Sequence, residues 1–311
     1  METIEIKDFK DLQSGENIYQ SACIAPVDGG VEYDILTENK DLEYVDILNL
    51  SKAVTILAEF FDVNASVVVK DSFICSAALG SSLDVAFEKV LEGDSLAVYG
   101  GTVGFTKEVS LDLAKRLKAM KVKNILSTKY SSEAEEFLTK TTDINVVRIN
   151  SPLQEIIGFT AKDIKVTPFG ILVQDQNLSK LTKNSFKVVT KNKPVQQLAE
   201  DAIFAWKIAK HVNSHSAVIV KDLSTKAIVQ SEVNGVISVE KAMDLACENS
   251  KDAVLAVDGV IENEEAINAA IQGRIGLIIE AGDSKNSDKI LKLAEKYNIV
   301  VIHTGIRNNK Y

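Results

Sequence analysis

Apolar residues recur at three- and four-residue spacing in Leu50, Val54, Leu57 and Phe61, and again in Ala205, Ile208, Ala209 and Val212. That spacing predicts two helices, each with one buried stripe. Both run into a short β-branched segment that ends in Lys-Asp: Ala65-Ser-Val-Val-Val-Lys-Asp71 and Ser216-Ala-Val-Ile-Val-Lys-Asp222. Runs apolar on both faces predict buried strands of a parallel sheet. The likeness continues downstream. A helix near 83–91 leads to a strand at 96–99 in the first half, and a helix at 239–247 leads to a strand at 254–257 in the second. Both strands then meet glycine, at Gly100-Gly101 and at Asp258-Gly259. Next come a helix (108–120; 264–272), a strand (124–126; 276–279), a helix (132–140; 287–297) and a last strand (144–149; 299–302).

Strands and helices alternating at this spacing predict parallel sheets covered by helices. The pattern occurs twice, so the expected fold is α/β with two related halves, residues 1–155 and 156–311. Between them, residues 164–190 differ in kind. The runs 170–174 and 185–189 alternate enough to predict a strand pair joining the halves.

Composition narrows the class. The 311 residues are 46% hydrophobic and 25% charged, the balance of a globular protein with room for two domains, and four prolines leave no Pro-rich linker. A net charge of -9 is ill suited to a nonspecific grip on nucleic acid. The start, Met-Glu-Thr-Ile-Glu-Ile-Lys-Asp, has neither the basic residues nor the apolar run of a secretory leader. No apolar stretch approaches membrane-spanning length. Three widely spaced cysteines, Cys23, Cys75 and Cys247, fit a reduced, cytoplasmic setting better than a disulfide framework.

Candidate chemistry gathers at the expected strand ends. Gly100-Gly101-Thr-Val-Gly104, read as joining a strand to a helix, is either a phosphate-holding loop or a tight turn. Lys70-Asp71 and Lys221-Asp222 end their strands, where a lysine can support an oxyanion or a phosphate, or form a surface ion pair. Because both halves share the pair, at least one copy is expected to be structural. His211 and His215 have zinc-ligand spacing, but the helix should end near Ser214, and the paired cysteines of zinc deaminases are missing. No metal is expected. His303, at a strand end, reads as site or packing, and Trp206 as a core anchor. No Gly-x-Ser-x-Gly or Walker pattern occurs. Pattern alone therefore gives a two-lobed α/β protein that binds a ligand.

Three segments carry a more specific signal: Gly170-Ile-Leu-Val-Gln-Asp175, Phe186-Lys-Val-Val-Thr-Lys191 and Phe204-Ala-Trp-Lys-Ile-Ala-Lys-His-Val-Asn-Ser214. In that order they resemble the central region of the AICAR transformylase family, which reads Phe-Ala-Trp-Lys leading to Lys-x-Val-x-Ser-Asn. Other landmarks are similar along nearly the whole chain. Gly15-Glu16-Asn17-x-x-Gln20 resembles Arg-Tyr-Gly-Glu-Asn-Pro-His-Gln, Lys70 falls where the family has Lys-His, and Tyr99-Gly100-Gly101 matches Phe-Gly-Gly. Asp258 matches Ser-Asp-Ala-Phe-Phe-Pro, and Thr304-Gly305-Ile306-Arg307 matches Thr-Gly-Met-Arg.

The resemblance implies two cytidine-deaminase-like halves without the deaminase zinc, joined by a short β segment and assembled as a homodimer with sites near the subunit interface. It implies formyl transfer from 10-formyltetrahydrofolate to 5-aminoimidazole-4-carboxamide ribonucleotide (AICAR). Its partners are thus a small nucleotide and a folate, with no nucleic acid and no membrane. Lys70, Asp71 and His215 take the catalytic positions, and Gly15, Glu16, Asn17, Gly100, Gly101, Lys210, Asp258 and Arg307 the ligand-binding ones. With Gly-Glu-Asn beginning at residue 15, the cyclohydrolase domain that usually precedes it is not expected.

The departures cluster in the site. The family's catalytic His is Asp71 here, a weak base beside a lysine. Arg-Tyr before Gly-Glu-Asn is Gln13-Ser14, Pro-His is Ile18-Tyr19, and the Asn closing Lys-x-Val-x-Ser-Asn is His215. The Gly-Gln-x-Ser-Arg-Val loop is reduced to Ser231-Glu-Val-Asn-Gly-Val236, without its arginine. Loss of phosphate-binding cations weakens a nucleotide site. The expectation is a retained scaffold with impaired or altered activity; the alternative is a non-catalytic nucleotide- or folate-binding homologue or partner subunit.

Overall fold

The computed structural model describes residues 7–38, 41–141, 143–159, 161–181 and 186–311. Residues 1–6, which carry most of the leader argument, and Ser185, the first residue of the expected strand 185–189, lie outside the described residues. The protein is mixed α/β and divides into two compact units. One comprises Met1–Asn64, Val68–Ser72 and Leu96–Leu178, the other Ala65–Val67, Phe73–Ser95 and Ser179–Tyr311. No helix among the described residues is long and apolar enough to cross a membrane.

In the first unit, Thr102–Val109, Asn124–Tyr130 and Asn145–Ile149 pair in parallel, and Tyr33–Ile35 closes the edge antiparallel to Asn145–Ile149. Residues 68–70 of the strand Asn64–Lys70 lie on the other side of Thr102–Val109. Helix Leu111–Ala119 starts where Ser110 accepts the Leu113 amide at 3.2 Å, and buries Leu113 and Leu117. In the second unit, Val254–Val257, Leu277–Glu280 and Val300–His303 are parallel. Ala217–Lys221 joins them antiparallel to Val254–Val257, and Lys187–Val188 adds an antiparallel edge to Val300–His303. Their apolar faces meet helices Gly235–Ala246, Glu264–Gln272 and Ser287–Lys296 in one core that includes Ile219, Leu255, Ile267, Ile278 and Ile290.

Parallel sheets describe only part of this arrangement. After each Lys-Asp the chain reverses into a strand that the sequence reading missed, Phe73–Gly80 in one case and Ser224–Val229 in the other. The reversals place Asp71 and Ser72 at φ 51° and 65°, and Asp222 and Leu223 at 56° and 55°. Two consecutive left-handed residues give the hairpin turn whose twist matches that of its strands. The usual Asn-Gly or Asp-Gly signal is missing, which is why the turns escaped notice.

Each reversal is held from the preceding helix. Asn49 Oδ1 accepts the Ser72 amide at 2.7 Å, while Asp201 accepts the amides of Leu223 at 2.7 Å and Asp222 at 3.1 Å. Burial pushes the Asp201 carboxyl above the ordinary aspartate range, with the two amide donors pulling the other way. A carboxyl raised in the folded state favours folding below its unfolded pKa, and that contribution is lost as pH rises through the folded value. Asp201→Asn therefore removes one component of the fall in urea midpoint as pH rises from about 4, the ordinary aspartate value. Midpoints for both proteins across that range check this.

Two further expectations are corrected. Residues 96–99 are not a strand: the helix Leu83–Val98, interrupted at Asp94, takes in 96–98, Tyr99 lies in the turn beyond it, and Leu96 and Tyr99 are exposed. A four-residue apolar run does not by itself distinguish strand from helix. Gly100-Gly101 consequently links a helix to the strand Thr102–Val109, with Gly100 at φ +69°, and presents no helix amino end. The anticipated pairing of 170–174 with 185–189 is also overturned. Gly170–Gln174 pairs with Asp163–Thr167 across Pro168-Phe169, and Lys187–Val188 pairs elsewhere. Closing a two-residue loop costs less entropy than closing a ten-residue one.

Candidate functional site

The strand Val254–Val257 ends at Asp258, whose side chain is almost fully buried. Its carboxyl group accepts the Ser216 amide at 2.8 Å, the Ser214 hydroxyl, and the Asn309 side-chain amide at 3.4 Å. Its backbone carbonyl accepts the Asn308 amide at 2.7 Å. Lys310 completes the closure: its amide donates to Ser214 Oγ at 2.9 Å, and its carbonyl accepts the Ser214 amide at 2.8 Å. One carboxyl group thus joins the start of Ala217–Lys221 to residues 308–310.

A cleft of about 230 Å³ opens beside Asp258 and is lined also by His215, Ser216, Arg307 and Tyr311. Two helices begin on its wall. Gly235–Ala246 is capped by Asn234, whose Oδ1 accepts the Ile237 amide at 3.0 Å, and Glu264–Gln272 follows Asn263. Helix amino ends carry partial positive charge and spare N–H donors, so both favour an anion. The Ser216 hydroxyl is buried and makes no hydrogen bond among the described residues. A buried hydroxyl left unsatisfied on a cleft wall suits a ligand oxygen. The donor set therefore fits a phosphate or carboxylate. The volume fits a fragment of a nucleotide or folate better than the whole of either, since ligand pockets start at roughly 300 Å³.

Arg307 stands on the rim with its Nε 3.0 and 2.8 Å from the two carboxylate oxygens of Asp283. That bond holds the Asp283 carboxyl below its ordinary range. The ring of His215 meets Tyr311 edge-on, centroids 6.3 Å apart. His215 lies beyond the helix Gln196–Ala209, so it shares no helix face with His211. Lys210 is buried and donates to the Ser179 carbonyl at 2.9 Å, and it does not line the cleft. His303 faces Glu280 at 3.1 Å and packs on Gly282, where a Cβ would fall 2.2 Å from the ring.

The remaining candidates belong to the first unit. Lys70 Nζ donates to the Tyr99 carbonyl at 3.0 Å, which brings Lys70, Asp71, Gly100 and Gly101 together. The equivalent Lys221 donates in the same way to the Lys251 carbonyl at 2.8 Å. Gly15, Glu16 and Asn17 form a loop clasped by Gln20. The Gln20 side-chain oxygen accepts both the amide and the side chain of Asn17 at 2.8 Å, and the Gly15 amide donates to the Gln20 carbonyl at 2.8 Å. This accounts for Gly-Glu-Asn-x-x-Gln as a unit. Sequence reading missed Ser216, Asn234, Asn263, Asn309 and Tyr311. An Asn directly before Gly235 and another before Glu264-Glu265 were legible as helix caps.

The fold is mixed α/β, with a cleft at the carboxyl end of Val254–Val257 where two helix amino ends lie beside the carboxyl groups of Asp258 and Glu262. Residues 1–245 match the family described as the AICARFT/IMPCHase bienzyme, and the chain belongs to that family. The bifunctional purine biosynthesis protein purH of Dictyostelium discoideum is 33% identical over 309 residues, covering 96% of this chain and 56% of that protein. The PurH proteins of Caldicellulosiruptor bescii and of Thermoanaerobacter sp. are 30% and 31% identical, covering 99% and 97% of this chain and 60% and 59% of theirs. The chain thus spans less than two thirds of the length of these relatives.

Proposed function

We propose that this chain acts in purine biosynthesis, in the cytoplasm, transferring a formyl group from 10-formyltetrahydrofolate to AICAR at a reduced rate. The observation that carries this reading is the anion-suited cleft at Asp258 in a chain whose family match runs from residue 1 to 245. The amide-rich helix ends and the Ser216 hydroxyl hold an anionic group of the substrates, and Arg307 adds positive charge at the rim. 10-Formyltetrahydrofolate, when bound, supplies the formyl carbon. Lys70 supports the negative charge that develops on the formyl oxygen. Asp71, next to Lys70 in the chain, accepts the proton released by the attacking amine, and beside a lysine it is a weaker base than the family's histidine.

The finer fold reading belongs to the same proposal: duplicated cytidine-deaminase-like halves, 1–155 and 156–311, in a homodimer. Its support is a repeated local design. Asn49 holds Ser72 as Asp201 holds Leu223, and Lys70 reaches a following carbonyl as Lys221 does. A second reading, binding without turnover, is favoured by Asp71 standing in a left-handed turn where the family has histidine.

A formyl-transfer assay separates the two. Measurable turnover that falls at least about 100-fold in Lys70→Ala supports the enzyme, since loss of an oxyanion-stabilising group costs that much. No turnover, with AICAR or folate raising the melting temperature, supports the binding protein. Neither turnover nor stabilisation overturns both.

A further inference from the structure

Gly259, Val260, Ile261 and Glu262 line the cleft in the loop between the strand Val254–Val257 and the helix Glu264–Gln272. This loop is fastened by the end of the neighbouring strand Leu277–Glu280 and the segment after it. The Gly259 carbonyl accepts the Ala281 amide at 2.9 Å, and the Glu262 carbonyl accepts the Asn286 side-chain amide at 2.9 Å. Between them, the Ile261 amide donates to Glu280 Oε2 at 2.7 Å. Glu280 is 3% exposed, and Ile261 is equally buried. A carboxylate removed from water is costly unless donors and a positive partner meet it. Ile261 meets one oxygen. The other, Oε1, stands 3.1 Å from His303 Nε2 without the alignment of a hydrogen bond. Two lone pairs do not approach so closely, so one of these atoms carries a proton. The imidazole lies against Gly282, at φ +87°, where a Cβ would fall 2.4 Å from Nδ1. A side chain at 282 would push the ring away from Glu280.

We propose that Glu280 is the positioning residue of this cleft and that His303 orients it. Without the carboxyl group the buried Ile261 amide has no acceptor, and residues 260–262 must turn until it finds one. Such a turn displaces Ile261 and the Glu262 carboxyl group on the cleft wall. A displaced carboxylate changes the field that an anion meets in the cleft. Support of this kind fixes a site's geometry without touching the ligand. The inference deepens the anion-binding reading of the cleft, and its affinity readout rests on that reading.

The test compares Glu280→Ala, Glu280→Gln and His303→Ala by hydrogen exchange of the Ile261 amide and by isothermal titration of inorganic phosphate. Glu280→Ala should speed that exchange and weaken phosphate binding, each by about 10-fold. Glutamine keeps an oxygen for the amide, so both should return to within about twofold of the unmodified chain. His303→Ala leaves the carboxyl group unoriented and should move both in the direction of Glu280→Ala by a smaller factor. A merely structural role would lower the unfolding midpoint and leave the phosphate affinity of the folded protein unchanged; that result overturns the proposal. So does a Glu280→Gln protein as weak as Glu280→Ala. Should Glu280→Ala not fold, His303→Ala decides by the same two readings. If the unmodified chain takes up no phosphate, the anion-binding reading fails and the Ile261 exchange decides alone. Exchange that none of the three variants changes then overturns the role of Glu280.

Discussion

Asp258→Ala should lower the free energy of unfolding by about 3 kcal/mol and, by loosening the cleft wall, change the affinity for an anion there. The alanine leaves the Ser216 amide, in a residue 1% exposed, without an acceptor, and removes the partner of the Ser214 hydroxyl and of Asn309. A buried donor so abandoned costs about 1–3 kcal/mol, and donors that faced a carboxylate lie at the upper end. Asp258→Asn is the informative companion. Its carbonyl can still accept from Ser216, and the Ser214 hydroxyl can turn to accept from its amide, so the loss should stay near 1 kcal/mol. Urea unfolding monitored by circular dichroism, with isothermal titration of inorganic phosphate, reads both effects. If alanine and asparagine cost the same, the carboxyl group is not the clasp described here.

Trp206→Ala should cost about 4 kcal/mol, the largest single loss expected in this chain. Trp206 is 2% exposed and sits with Phe204, equally buried, on the helix Gln196–Ala209. Deleting an indole from a site packed from several sides removes its transfer free energy and leaves a cavity that neighbours only partly fill. Trp206→Phe retains much of the volume and should cost less than half as much. The midpoint of urea unfolding should fall with an unchanged slope, which marks lost stability rather than an altered unfolded state. Since Trp206 is the only tryptophan, its fluorescence in the unmodified chain reports directly on the second unit.

What the sequence disclosed depended on whether a signal was periodic or conformational. The helix expected at 264–272 spans those residues in the structure, and the strand expected at 254–257 likewise, because apolar spacing and glycine punctuation agreed there. The strands Phe73–Gly80 and Ser224–Val229 stayed hidden because nothing in Asp71-Ser72 or Asp222-Leu223 announces a left-handed turn. Their cause lies some twenty residues upstream, in the side chains of Asn49 and Asp201. The site was legible in part. Asp258, His215 and Arg307 meet at one cleft, whereas Lys210 serves the packing of residue 179. Ser216 could not be foreseen, because an unsatisfied hydroxyl becomes informative only when its surroundings are known.

The clasp at Asp258 also fixes a sequence of events. Ser214 and Lys310, which bond each other beside Asp258, are 96 positions apart in sequence, and Asp258 lies between them in the chain. A ribosome delivers Ser214, His215 and Asp258 well before it delivers residues 308–311. Until residues 308–311 emerge, the Asp258 carbonyl lacks the Asn308 amide and His215 lacks the ring of Tyr311. The cleft is therefore completed only once residues 308–311 have emerged, after the rest of its wall. A nascent chain can bury most of its core while it still has no finished cleft for a ligand to enter.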